Sequence, residues 1–115
     1  MKDNLIREKT FSFALDVVRL YRELQARHEY VLSKQLLRSG TSIGANVEEA
    51  CAAQSRADFR AKMSIASKEA RETKYWLRLL QESRIAEIDL TEQLAKAEEI
   101  TRILTAIVKT SSESQ

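Results

Sequence analysis

The sequence predicts an all-α fold, an antiparallel up-down-up-down four-helix bundle, and three observations predict it. Among 115 residues there are two glycines and no proline, so the chain holds almost none of the residues that break helices or build hairpin turns. Apolar residues recur at steps of three and four along four separate segments. The links between those segments are short, and short links make consecutive helices antiparallel neighbours. A chain of this length buries roughly two thirds of its unfolded surface in one core, so residues 1–115 are expected to form a single domain.

The first helix is expected over about residues 10–27, with Thr10 as its N-cap. Phe11, Ala14, Val17, Val18, Tyr21 and Leu24 share one face, read as the buried one, while Asp16, Arg19, Arg22 and Glu23 lie away from it. The second helix, about 30–54, carries Leu32, Leu36, Ile43, Val47 and Ala50 in its seam. That seam also holds Ser39, Gly40, Gly44 and Asn46, small and polar for an interior. Each glycine disfavours the helix by about 1 kcal/mol relative to alanine, so the Gly-x-x-x-Gly spacing is expected to admit another backbone closely. The third helix, about 55–83, starts with Ser55 as cap and Asp58 at the positive end of the dipole. Its heptad seam is Phe59, Met63, Ala66, Ala70, Thr73, Leu77 and Leu80. The fourth, about 90–110, opens on the capping-box spacing Asp89-Leu90-Thr91-Glu92 and buries Leu90, Leu94, Ala97, Ile100, Leu104 and Ile107. Residues 110–115 read as a frayed polar tail.

Much chemistry is excluded. Two glycines cannot make a three-glycine dinucleotide fingerprint, and no Gly-Lys-Ser/Thr closes a phosphate loop. One Cys and one His cannot complete a four-ligand zinc site, and Glu69-Ala70-Arg71-Glu72 lacks the His of a di-iron Glu-x-x-His motif. Cys51 reads as a small core residue and His28 as a solvated turn residue beside Glu29. No catalytic residue, metal or cofactor is expected. The charged N-terminus lacks the apolar run of a signal peptide, and no window approaches the roughly 18 apolar residues of a membrane span. With a single cysteine, which cannot form a disulfide within the chain, this favours a cytoplasmic protein without a membrane partner.

Net charge is only +2, but its distribution is uneven. Residues 61–84 hold six Lys/Arg against three Asp/Glu, and residues 85–115 the reverse, so cations gather on helix three and anions on helix four. Arg56, Arg60, Arg71, Lys74 and Arg78 fall on one stripe of helix three, with Ser64 and Ser67 between them. The stripe reads either as solvated surface paired with the acidic helix or as a face that follows a phosphate backbone of RNA or DNA. No aromatic residue is interleaved with it, so any nucleic-acid contact would be electrostatic and weakly sequence-specific.

Ile65, Trp76 and Leu80 widen the apolar arc of helix three beyond its seam, which reads either as closure of the bundle end or as a subunit interface. On helix two, Arg38, Ser42, Ala45 and Glu49 form a row flanked by Ser39 and Asn46. Such groups need partners when buried, among themselves or with Glu69 and Glu72. The cluster reads as a ligand pocket or as a structural polar network, and the lack of a nucleophile or of a base other than carboxylate favours the network.

The run Gln35-Leu36-Leu37-Arg38-Ser39-Gly40-Thr41-Ser42-Ile43-Gly44-Ala45-Asn46-Val47-Glu48-Glu49-Ala50 resembles the second helix of the four-helix-bundle proteins encoded in intervening sequences of bacterial 23S ribosomal RNA genes. Phe59 and the run from Ile65 to Leu77 resemble that family's third helix. The resemblance spans nearly the whole chain. It implies a non-enzymatic bundle assembled as a homopentameric ring. It also implies kinship with the accessory factor of diversity-generating retroelements, the accessory variability determinant, which binds a reverse transcriptase and nucleic acid through a basic surface. Arg38, Ser42, Asn46, Glu49, Glu69 and Glu72 match the family's polar positions, and Ala50 stands where many members have glycine. The partners so implied are a second copy of the chain, RNA or DNA, and alternatively a protein recruited by a scaffold with no direct nucleic-acid role.

Overall fold

The computed structural model describes residues 2–113, which form four helices: α1 (Lys2–Ala26), α2 (Leu32–Cys51), α3 (Arg56–Ser83) and α4 (Thr91–Glu113). No strand occurs among the described residues. Helix α2 packs on both α1 and α3, and α4 packs on α3 and, more sparsely, on α1. The body measures 47 × 21 × 20 Å.

Helix α1 departs most from expectation. It begins at Lys2, and Thr10 is not a cap: its hydroxyl donates to the Ile6 carbonyl at 2.8 Å inside the helix. That local bond satisfies the hydroxyl and lets Thr10 be buried. The buried seam is Ile6, Thr10, Phe13, Val17, Leu20 and Leu24, at alternating steps of four and three. Phe11 is 63% exposed and Val18 is also exposed, so the inward face lies to one side of the expected one. Phe11, Leu15 and Val18 make α1 apolar on a second face, and periodicity alone does not choose between two apolar faces.

Helix α2 makes the choice. A Cβ on Gly44 would sit 3.3 Å from the Thr10 carbonyl oxygen, and one on Gly40 would sit 2.8 Å from a Val17 methyl. The two glycines thus form the notch that seats α1, as the Gly-x-x-x-Gly spacing anticipates.

The helix ends are set by local chemistry. Helix α1 closes with the Glu29 amide donating to the Leu24 carbonyl at 2.9 Å and the His28 amide to Gln25 at 3.0 Å. This requires the left-handed φ of 67° at His28, a turn position as expected. Helix α2 is shorter than 30–54 at both ends. Its cap position, Val31, offers no side-chain acceptor, and the buried Glu29 carboxylate accepts instead from the amides of Val31, Leu32 and Ser33 at 3.1, 3.0 and 2.6 Å. Ser55 caps α3 by accepting from the Asp58 amide at 3.0 Å. At α4, Asp89 accepts from the Thr91 amide at 3.0 Å and its hydroxyl at 2.6 Å, which holds the Asp89 carboxyl below its usual range. Glu92 does not complete a capping box but pairs with Lys96 at 3.5 Å. Helix α4 runs to Glu113, so most of the expected tail is helical, and residues 114–115 lie outside the described part.

The core runs the length of the body. Leu36, Ile43, Val47, Met63, Ala66, Ala70, Leu77 and Leu80 from α2 and α3 meet Ala97, Ile100 and Leu104 from α4 and the α1 seam. Cys51 is half-buried against it. No described helix is long and apolar enough to cross a membrane.

Candidate functional site

Two helix–helix seams hold the polar residues of interest. The α2/α3 seam brings together much of the expected network. Arg38 bonds Glu72 and reaches Glu69 at 3.4 Å. Glu72 also accepts from the Trp76 indole at 2.9 Å, a contact prepared by the four-residue spacing on α3. Deeper in the seam, the Ser39 and Thr73 hydroxyls lie 2.9 Å apart, and Thr73 donates to the Glu69 carbonyl at 2.8 Å. Thr73 read from sequence as a seam position only; its hydroxyl is a member of the network.

Ser42 and Asn46 form a local pair within α2, the Asn46 amide donating to the Ser42 carbonyl at 2.9 Å and hydroxyl at 3.1 Å. Glu49 lies apart from the others and pairs with Lys62 at 2.8 Å, a bond that raises the Lys62 pKa.

The basic stripe of α3 divides. Lys74 bonds Glu98 of α4, and this contact, aided by Arg102, holds the Glu98 carboxyl below its usual range. Arg78 pairs with Glu82 on its own helix at 3.1 Å. These two positions follow the reading of a stripe neutralised by its surroundings. Arg56 lies exposed in the first turn of α3, and Arg60 is half-buried in the next. Arg71 stands differently. It borders a groove of about 300 Å3 between α3 and α4 with Ser64, Ser67, Lys68, Thr105 and Lys109. Among the described residues no carboxylate pairs with Lys68, Arg71 or Lys109.

Lys68 and Lys109 were not part of the sequence-predicted stripe. Lys68 follows Ser64 by four residues and so belongs to the same flank of α3, a signal that was available. Lys109 was not legible, because it comes from α4.

Within the groove wall, the Ser67 hydroxyl is buried and has no hydrogen-bond partner. An unsatisfied buried hydroxyl costs about 1–3 kcal/mol.

The candidate interface residues also separate. Ile65 is 40% exposed, Trp76 is half-buried against the core with its indole bonded to Glu72, and Leu80 is fully buried in the core. Leu80 therefore has no surface to offer another subunit. Its place on the outer face is taken by Tyr75 and Leu79, 58% and 36% exposed. A separate apolar row, Phe11, Leu15 and Val18, runs along α1.

Comparison with known proteins agrees with this architecture. A crystal structure from Bacteroides thetaiotaomicron VPI-5482, a protein of unknown function from the S23 ribosomal protein family, is 49% identical. It superposes with a TM-score of 0.86 over 95% of this chain and 99% of its own. No curated protein matches the chain. The family model described as 23S rRNA-intervening sequence protein matches residues 2–106. With four helices in the order that its second- and third-helix motifs imply, the chain belongs to the 23S rRNA-intervening sequence protein family.

Proposed function

We propose that the protein is a non-enzymatic, antiparallel up-down-up-down bundle that assembles with copies of itself and associates with nucleic acid through the basic side of α3. The observation that carries the nucleic-acid reading is the gathering of Lys68, Arg71 and Lys109 around one groove without a pairing carboxylate among the described residues. Like charges held together repel one another, and a polyanion relieves that repulsion. The antiparallel arrangement is supported by contacts whose numbers run in opposite senses: Thr10 with Gly44 and Val17 with Gly40, then Arg38 with Glu72 and Glu49 with Lys62.

Self-assembly is supported by two different apolar rows, Phe11, Leu15 and Val18 on α1 and Ile65, Tyr75 and Leu79 on α3. Two unlike faces on one protomer suit a head-to-tail contact, and a head-to-tail contact that closes makes a ring. The homopentamer implied by the family resemblance is such a ring, and a cytoplasmic location is consistent with it.

The test is RNA binding at low salt by the parent and by the triple variant Lys68→Glu, Arg71→Glu, Lys109→Glu. Binding that weakens steeply with salt in the parent and is lost in the variant supports the reading. Equal binding by both refutes this surface. The apolar rows also suit a scaffold that recruits a different protein. One stoichiometric partner retained after nuclease treatment, with no RNA bound, would favour that scaffold.

A further inference from the structure

Every other buried hydroxyl among the described residues has an oxygen partner at 2.7–2.9 Å: Thr10 on Ile6, Ser33 on Glu29, Ser39 on Thr73, Thr73 on Glu69 and Thr101 on Ala97. Ser67 alone has none. It stands in the wall of the α3/α4 groove, which Lys68, Arg71, Lys109, Ser64 and Thr105 also line. Ser64, Ser67, Lys68 and Arg71 recur at steps of three and four, so they share one flank of α3 facing Thr105 and Lys109 of α4. A hydroxyl donor buried without a partner, beside cations without counterions, describes the walls of an anion site.

We infer that this groove binds a single phosphate group, with Arg71, Lys68 and Lys109 supplying charge and Ser67, Ser64 and Thr105 supplying hydroxyl donors. Phosphate fits better than carboxylate because its oxygens accept from several directions at once. A nucleobase does not suit the groove, since no aromatic side chain lines it for a base to stack on. One turn further along α3, Lys74 is held by Glu98, so that carboxylate marks where the site ends. The inference rests on the nucleic-acid reading for the source of the phosphate, an internucleotide phosphodiester, but the site itself is defined by its own groups.

The test is an amide-resolved NMR titration with inorganic phosphate and then with a short oligouridylate, both at low salt. Shifts are expected at residues 64–71 and 105–109. Ser67→Ala leaves net charge unchanged and is expected to weaken phosphate binding about tenfold, the loss of one hydrogen bond to a charged group. Lys109→Ala weakens it as well, and Arg22→Ala on α1, a cation outside the groove, leaves it unaltered. Shifts centred elsewhere, or Ser67→Ala and Lys109→Ala variants that bind phosphate like the parent, overturn the site. Oligouridylate bound equally by parent, Ser67→Ala and Lys109→Ala overturns the site while sparing the nucleic-acid reading. Phosphate bound in the groove with no oligouridylate binding does the reverse.

Discussion

Between α2 and its neighbours, polar and small residues are matched to one another: Arg38 lies against two carboxylates, Ser39 against Thr73, and two glycines receive the backbone and a side chain of α1. Between α3 and α4, the Ser67 hydroxyl is buried alone and three cations share a groove. Helix α4 is tied across to α1 at the surface, by Lys96 to Asp16 at 2.9 Å and Lys9 to Glu99 at 3.3 Å. The α2 side is satisfied by the chain's own groups. The α4 side leaves one hydroxyl and three cations without a partner among the described residues. A seam that serves only stability has no reason to strand a hydroxyl, so the unequal treatment separates the framework from the proposed binding surface.

The largest effect that tests this contrast is Gly40→Val. Its side chain would drive into Val17 where a Cβ alone already comes to 2.8 Å, and overpacking of this kind costs about 3 kcal/mol. A fall of roughly 12–20 °C in melting temperature is expected by thermal unfolding. Thr105→Val, on the groove rim, should leave the midpoint nearly unchanged. Equal losses at both positions would abolish the difference between the two sides.

Next in size is Glu72→Ala, which removes the acceptor shared by Arg38 and Trp76. Both partners of the ion pair are partly solvated, so the expected loss is about 1–2 kcal/mol rather than that of a buried pair. Trp76 fluorescence should shift to the red as its indole loses its partner. An unshifted spectrum would place the indole bond outside the framework.

The sharpest comparison uses similar deletions in the two seams. Thr73→Val takes away a satisfied hydroxyl and should destabilise by about 1 kcal/mol. Ser67→Ala takes away an unsatisfied one and should leave stability unchanged or raise it by up to about 1 kcal/mol. Denaturant unfolding distinguishes the signs. A loss at Ser67 matching that at Thr73 would show that Ser67 is part of the framework.

The smallest effects concern pH and confine themselves to α4. The Glu98 carboxyl is held low by Lys74, so its contribution is present above the ordinary Glu range and fades as pH falls through the lowered value. The Lys96 ammonium is held high by its bond to Asp16, so its contribution is complete below the ordinary Lys range and fades as pH rises through the raised value. Hydrogen exchange along α4 should therefore quicken at both extremes, and Lys74→Met should remove the acidic limb alone. A uniform response of α2 and α4 would show that these pairs do not act locally.

The presence of four helices, the extent of α3 and three of the four seams were readable from spacing. In α2, α3 and α4 the stripe with the regular three-and-four spacing is the buried one, although α3 carries Ile65, Tyr75 and Leu79 outside it. Ser55 was readable as a cap because its bond to Asp58 is local. Glu29 was not, because a carboxylate two residues before the cap position performs that task here only by folding back over the first turn of α2. Arg38, Glu69 and Glu72 were legible as groups in need of partners, whereas Thr73 in their network and Lys109 in the groove were not.

The sequence by itself determined that the chain is helical, where three of its apolar seams lie, and that two glycines in one helix required a close neighbour. Only the tertiary structure decided that α1 turns Ile6, Phe13 and Val17 inward rather than Phe11 and Val18, and that Arg71 and Lys109 line one groove between α3 and α4. The physical reason is the same in both cases. Periodicity tells which residues share a face of one helix, but which of two apolar faces is buried, and which charges share a groove, depends on the shape of the neighbouring helix.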